Sequence, residues 1–228
     1  MPAEAPHRSE FAPTCAAMDA RLEAYLSMLE RWNAVYNLTA IRDREAMRLH
    51  HLADCLAVVG PLRRELSALE GTVTVARRIL DVGSGGGLPG VVLALAEPAW
   101  QVTCVDAVGK KAAFVQQVAS ELDLPNLRSV HSRVEKLRLP PFDAVVSRAF
   151  SSLGDFVRWT RHALAPGGRW MAMKGRNPLD EVADLPPGIQ VFHVEPLKVP
   201  GLEAERCLVW LRDGGPLNPD FFSNNPGR

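Results

Sequence analysis

Residues 81–90 read Asp-Val-Gly-Ser-Gly-Gly-Gly-Leu-Pro-Gly, a run that suits close approach to a ligand. Glycine has no Cβ, so it reaches positive φ and lets backbone N–H groups come near a bound group. Two registers fit the run. From Asp81 it is acid-x-Gly-x-Gly-x-Gly, through Gly83, Gly85 and Gly87; from Gly85 it is a dinucleotide-type Gly-x-Gly-x-x-Gly, through Gly87 and Gly90. A dinucleotide would set its doubly charged pyrophosphate beside Asp81, where an acid is poorly placed. S-adenosylmethionine has no phosphate, and its methionine end carries an ammonium. Asp81 would suit that ammonium, or would hold the loop through backbone N–H groups. Counted from Gly83, the third dinucleotide glycine would fall on Leu88, so the Asp81 register favours the methyl donor and leaves Gly90 for close helix–strand packing. Asp106, at the end of the next strand, is placed to accept both ribose hydroxyls, which either cofactor needs. Pro89 fits the first turn of a following helix, where no N–H is required.

These residues need strands that end together. From about residue 73, short apolar runs alternate with helical ones: RILDV, the glycine loop into PGVVLALAE, WQVTCVDAV, then KKAAFVQQVASEL with Phe114, Val115, Val118 and Leu122 on one face. LRSVHSR and FDAVVSRAF are strands 3 and 4, LGDFVRWTRHAL is a helix ended by Pro166-Gly167-Gly168, and RWMAMKG is strand 5. IQVFHVEPLKV and ERCLVWLRD follow with no helix between them, so they pair antiparallel. Strand–helix alternation implies a mostly parallel sheet whose carboxyl ends share one edge. The expectation is an α/β, Rossmann-like seven-stranded sheet of the class I S-adenosylmethionine-dependent methyltransferase type, over residues 73–212. Residues 16–72 form an N-terminal helical cap: Met18, Leu22, Tyr25, Leu26, Leu29 and Trp32 recur at helix spacing, and Asp43 caps a second helix that Gly60-Pro61 ends or kinks. A short third helix follows from Leu62 to Leu69. Residues 1–15 read as a flexible leader and 213–228, rich in Gly, Pro and Asn, as a tail.

The methyl acceptor is read from devices that are missing. Exocyclic amine methylation goes with an (Asp/Asn)-Pro-Pro-aromatic loop after strand 4, and here that place reads SRAFSSL. Pyrimidine C5 chemistry uses a Pro-Cys nucleophile, and the sequence contains no Pro-Cys pair. The six histidines are scattered and form no metal-ligand cluster with acids. A ring nitrogen such as guanine N7 carries its own lone pair, so no base has to remove a proton and the enzyme only positions it. No catalytic residue is therefore assigned. Lys110 and Lys111, Arg133, Arg148, Lys174 and Arg176 follow successive strands and would form a phosphate-contacting rim.

Twenty-six basic residues balance 26 acidic ones, which argues against a protein that coats nucleic acid through its overall field but leaves room for a local basic site. No apolar run reaches the roughly 18 residues of a membrane span. The first 20 residues lack the apolar core of a secretory signal. Cys15, Cys55, Cys104 and Cys207 are far apart and read as isolated thiols of a cytoplasmic protein.

Seven stretches together resemble one family: RWNAVYNLTAIRD (31–43), RLHHLADCL (48–56), ILDVGSGGGLPG (79–90), VDAVGKKAAFVQQV (105–118), SRVE (132–135), FDAVVSRAFSSL (142–153) and MKGRNP (173–178). The sequence resembles the bacterial 16S rRNA guanine-N7 methyltransferases historically called glucose-inhibited division protein B, from about residue 20 to 212. The resemblance implies methylation of a guanine in the 530 loop, on 16S rRNA or the assembled small ribosomal subunit. It implies cofactor contacts at Gly83 and Leu88, with Val134 and Glu135 flanking the adenine and Arg148 near the methionine end. Asp81, Gly85 and Asp106 join that cofactor set, Asp106 at the ribose. Asn37 and the His50-His51 pair belong to a cap that shapes the base or RNA pocket. Asn37, Lys110, Lys174 and Arg176 are the expected RNA contacts. A cytoplasmic monomer without metal is expected. A small-molecule methyltransferase on the same fold, and a non-catalytic nucleotide-binding division factor, stay open as alternatives.

Overall fold

A computed structural model describes residues 15–69, 76–148, 150 and 152–214. The expected leader up to residue 14, and the tail from residue 215 on, lie outside the described residues. Seven strands form one sheet: β1 Arg78–Val82, β2 Gln101–Asp106, β3 Leu127–His131, β4 Phe142–Ser147, β5 Leu164–Lys174, β6 Ile189–Pro196 and β7 Cys207–Asp213. Their order is β3-β2-β1-β4-β5-β7-β6. The first five are parallel, and β7 runs antiparallel to both β5 and β6. The order reverses between β1 and β4, and the crevice at that switch point is where such sheets bind ligands.

Alternation along the strands gives the sheet two cores. Ile79, Val102, Cys104, Ala144, Val146, Met171 and Trp210 face α5 Gly90–Ala96, α6 Gly109–Glu121 and the N-terminal helices. Leu80, Val82, Val105, Val145, Trp170 and Leu211 face α7 Leu153–Thr160, with α8 Leu179–Val182 beside it. Among the described residues, four α-helical segments precede the sheet: α1 Cys15–Tyr36, α2 Arg44–Met47, α3 Asp54–Ala57 and α4 Val59–Ser67. Asp43 caps α2 as its type and position suggest, accepting from Ala46 N. Glu23 on α1 pairs with both Arg44 and Arg48, which locks α2 against the first helix.

Three local expectations are corrected. Gly60-Pro61 does not end a helix; the break falls at Val58, and both residues sit in the first turn of α4, where proline costs no hydrogen bond. Pro166-Gly167-Gly168 does not separate α7 from the next strand. β5 begins at Leu164 and carries these residues, with Gly167 at φ 75° and a register shift opposite Phe142/Ala144. Between α2 and α3 the chain makes a π-helical turn, Arg48–Ala53, which the apolar spacing does not reveal.

Candidate active site

The glycine loop leaves β1 at Val82. Gly83, Gly85 and Gly87 have φ of 68°, 58° and 87°, so the acid-x-Gly-x-Gly-x-Gly register carries the left-handed positions. Gly90 does a different job. A Cβ there would lie 2.3 Å from Cys104 Sγ and 2.8 Å from Asp81 Oδ2, so α5 can pack this close to β1 and β2 only with glycine at its first position. Pro89 is the residue before α5, and its peptide bond with Leu88 is cis. Gly83 and Ser84 N–H both donate to Val105 O, and Ser147 Oγ donates to Val82 O, so neighbouring strands fix the loop's entry. Tyr25 of α1, fully buried, donates to Gly86 O at 2.6 Å from the other side.

The two acids behave differently. Asp81 is fully buried; its Oδ2 accepts from Gly90 N at 2.8 Å and its Oδ1 has no partner. Of the two roles the sequence left for it, the structure shows loop anchoring, and Asp81 lines neither cavity described below. Burial pushes its carboxyl up to about 7, against the opposing pull of the Gly90 N–H and Arg148. Asp106 is held by Gly85 N on Oδ2 at 3.0 Å and by Val108 N on Oδ1 at 2.8 Å. A carboxylate has about four acceptor positions, so each oxygen keeps one for a ligand.

Two cavities meet at Gly83. One, of about 240 Å³, is lined by Gly83, Asp106, Ala107, Val134, Glu135 and Trp159, with Phe150 edge-on to Trp159. The other, of about 250 Å³, has Leu38 and Thr39 from the cap on one wall and Gly83, Gly85, Leu88, Lys111 and Arg148 on the other. Arg148 crosses from β4 to the π-helical turn. Its Nη1 donates to His50 O at 3.1 Å, faces His51 Nδ1 at 3.4 Å and pairs with Asp54 Oδ2 at 3.7 Å. Asp54, only 2% exposed, also accepts from Arg206 Nε at 3.2 Å. Burial and the neighbouring Arg148 bring His51 down to about 4, so its ring is neutral near pH 7.

The structure thus gathers Gly83, Gly85, Leu88, Asp106, Val134, Glu135 and Arg148 around one cleft. The expected RNA contacts lie outside it. Lys110 is exposed on the first turn of α6; Asn37 is exposed at φ 51° with Oδ1 accepting from Arg42. Lys174 departs from the expected exposed rim: its side chain is 11% exposed and pairs with Glu181 at 2.8 Å. Arg176 lines a third cavity, of about 460 Å³, with Val194, Leu197 and Lys198, away from the glycine loop. Sequence reading missed Tyr25, Thr39, Asp54 and Trp159. Thr39 and Asp54 lie inside the quoted stretches 31–43 and 48–56, and Tyr25 on the expected face of the first helix, but residue type and spacing gave none of them a role at the site.

Among the described residues no three His, Cys, Asp or Glu side chains stand ready to hold a metal, and no helix is long and apolar enough to cross a membrane. Cys55, Cys104 and Cys207 are free and buried.

The fold is the Rossmann-like seven-stranded sheet found in solved methyltransferase structures. A SAM-dependent methyltransferase from Aquifex aeolicus superposes with TM-score 0.51 at 14% identity, over 82% of this chain and 96% of that one. The 1,6-didemethyltoxoflavin-N1-methyltransferase of Burkholderia thailandensis, solved with S-adenosylhomocysteine, gives 0.54 at 15% identity, over 93% and 94%. The chain belongs to the GidB family, rRNA small subunit methyltransferase G, whose model matches residues 18–209. The ribosomal RNA small subunit methyltransferase G of Acidovorax ebreus (strain TPSY) is 57% identical over 190 residues, 82% of this chain and 84% of that protein.

Proposed function

We propose that this protein transfers a methyl group from S-adenosylmethionine to N7 of a guanine in the 530 loop of 16S rRNA, in the cytoplasm. The observation that carries this reading is the pair of cavities joined at Gly83, one walled by Asp106, Val134 and Trp159, the other by the cap and Arg148. The relatives' name supplies the small-subunit rRNA.

The residues present fit the methyl donor. Positive φ at Gly83, Gly85 and Gly87 opens a backbone cradle, and a Cβ at Gly85 would meet nothing nearer than 4.0 Å, so the space above it is free for a ligand. Asp106 would take the ribose hydroxyls with its remaining acceptor positions. Val134 and Glu135 would flank the adenine, with Trp159 adding an aromatic wall. Arg148 would face the methionine carboxylate, and Gly83 and Leu88 would line the channel between the ends. Asp81 would act through the loop it anchors. When bound, the cofactor supplies a methyl group on a positively charged sulfur.

The polar side chains of the cap-side cavity are Thr39, Ser84, Lys111 and Arg148, hydroxyls and cations. They can orient a base and exclude water, which suits a nucleophile that needs no proton removed. Positioning of this kind can contribute up to about 7–11 kcal/mol in the best intramolecular cases. The deciding experiment maps N7-methylguanine in 16S rRNA by chemical chain cleavage, with and without the protein. One new cleavage in the 530 loop is expected; unchanged rRNA from a deletion strain incubated with protein and cofactor sinks the reading.

A further inference from the structure

We propose that Thr39 is a specificity-determining residue whose hydroxyl donates to O6 of the target guanine, held in the donor role by His51. The proposal rests on the methyl-transfer reading above and names how its site would choose guanine.

Hydrogen-bond accounting leads there. Arg148 can only donate, so His51 Nδ1, which faces it, accepts; the ring proton then sits on Nε2. That tautomer is assigned from the partners, as ring protons generally are. Nε2 donates to Thr39 Oγ1 at 2.9 Å, and Ile41 N donates to the same oxygen at 3.2 Å. Both lone pairs of the hydroxyl are thereby used. Its own proton is left over, and Thr39 stands in the wall of the cap-side cavity. Neutral His51 near pH 7 keeps the arrangement in place.

The loop bearing Thr39 is itself clamped. Thr39 N donates to Asn33 Oδ1 at 2.9 Å, and Asn33 Nδ2 donates to Ile41 O at 3.2 Å, with Asn33 buried on α1. The donor's position is therefore set by the cap and by β4 together, through the chain Asn33, Thr39, His51, Arg148.

A donor in this wall discriminates between purines. Guanine shows two acceptors on this edge, N7 and O6; adenine shows N7 and an amino donor. Of the cavity's remaining polar side chains, Lys111 and Arg148 also only donate, and Ser84 is buried on the glycine loop with its hydroxyl bonded to Cys104. Guanine O6 can be satisfied there, while an adenine amino group would meet donors. A site built around one such bond rejects the analogue that lacks it.

The test uses the full-length protein, S-adenosylmethionine and small subunits from a deletion strain. Wild type comes first: no N7-methylguanine overturns the methyl-transfer reading and this proposal with it. If wild type methylates, Thr39→Val should lower kcat/KM about tenfold or more, mainly through KM for the subunit, with cofactor Kd unchanged. Thr39→Ser, which keeps the donor, should recover most of the loss. A second arm needs no variant: subunits reconstituted with 2-aminopurine, which lacks O6, at the target. Wild type should lose about tenfold on that substrate, and Thr39→Val should not distinguish it from guanine. His51→Ala should lose the same discrimination, and His51→Asn, whose amide can donate, should restore part of it. Thr39→Val equal to wild type, losses that multiply, or a rise in cofactor Kd instead would each overturn the proposal.

Discussion

Two aspartates with different roles share one habit: each accepts a backbone N–H from the glycine-rich run, Asp81 from Gly90 and Asp106 from Gly85. Their environments separate them. Asp81 is fully buried with one oxygen unpartnered, so the fold favours its protonated form. Its pKa rises from 3.8 to about 7. That preference stabilises the fold fully below the unfolded value and is lost as pH climbs through about 7. Asp81→Asn keeps an acceptor for Gly90 N–H and removes the titration. Relative to that variant, wild type should lose on the order of 4 kcal/mol of stability between pH 4 and 8. Urea unfolding at a series of pH values reads this directly, and a constant difference between the proteins would refute it. Asp106 keeps an acceptor position on each oxygen, so Asp106→Asn puts a donor where Gly85 or Val108 N–H already donates. Cofactor Kd should rise at least tenfold by equilibrium dialysis, and the broken loop hydrogen bond should lower the thermal midpoint as well. Both aspartates were legible as site residues in the sequence. Their division of labour was not, because burial depends on α5 packing over Asp81, which spacing alone does not encode. Lys174 shows the same limit: strand-end position marked it as a rim cation, and a glutamate on the following helix neutralises it.

At the scale of elements, the loop is held from below by Gly90 and from above by α1. Gly90→Ala would drive a methyl into Cys104 Sγ and Asp81 Oδ2, costing about 1–3 kcal/mol or more. The fall in Tm should be roughly 3–10 °C by calorimetry. Tyr25→Phe leaves Gly86 O buried without its donor, at about 1–3 kcal/mol. It should also weaken cofactor binding several-fold, a result that would separate a working tie from a merely packed ring. The strands and their order of connection were readable because each is a short, nearly continuous apolar run bounded by turn residues, as strands buried on both faces are. The π-helical turn was hidden for a physical reason. One extra residue in a turn changes which side chains face inward after it, yet the apolar residues on either side still look helical. That turn lets His50 O, His51 and Asp54 meet a single guanidinium.

Across the whole molecule, 26 positive and 26 negative charges leave no net field, so any pull on RNA is local. Lys110, Arg133 and Arg176 are exposed cations of the expected rim, whereas Lys174 is paired. Reversing Lys110 and Arg176 to Glu should weaken small-subunit binding about tenfold or more and flatten its salt dependence, with cofactor Kd unchanged. Filter binding at several salt concentrations is the measurement; an unaltered salt slope would remove these two residues from the interface. The last strand of the described chain has a consequence in time. β7 is made after β6 yet lies between β5 and β6, and Arg206 just before it completes the pairing of Asp54. During synthesis the chain therefore waits, with the flank of β5 open and Asp54 facing only Arg148, until residues 207–213 emerge. Translation adds about 5–20 residues per second, so the stretch from the end of β6 through β7 takes roughly one to three seconds. In that interval β5 is an unpaired edge, and pairing with the wrong strand is the hazard a newly made copy of this protein has to outrun.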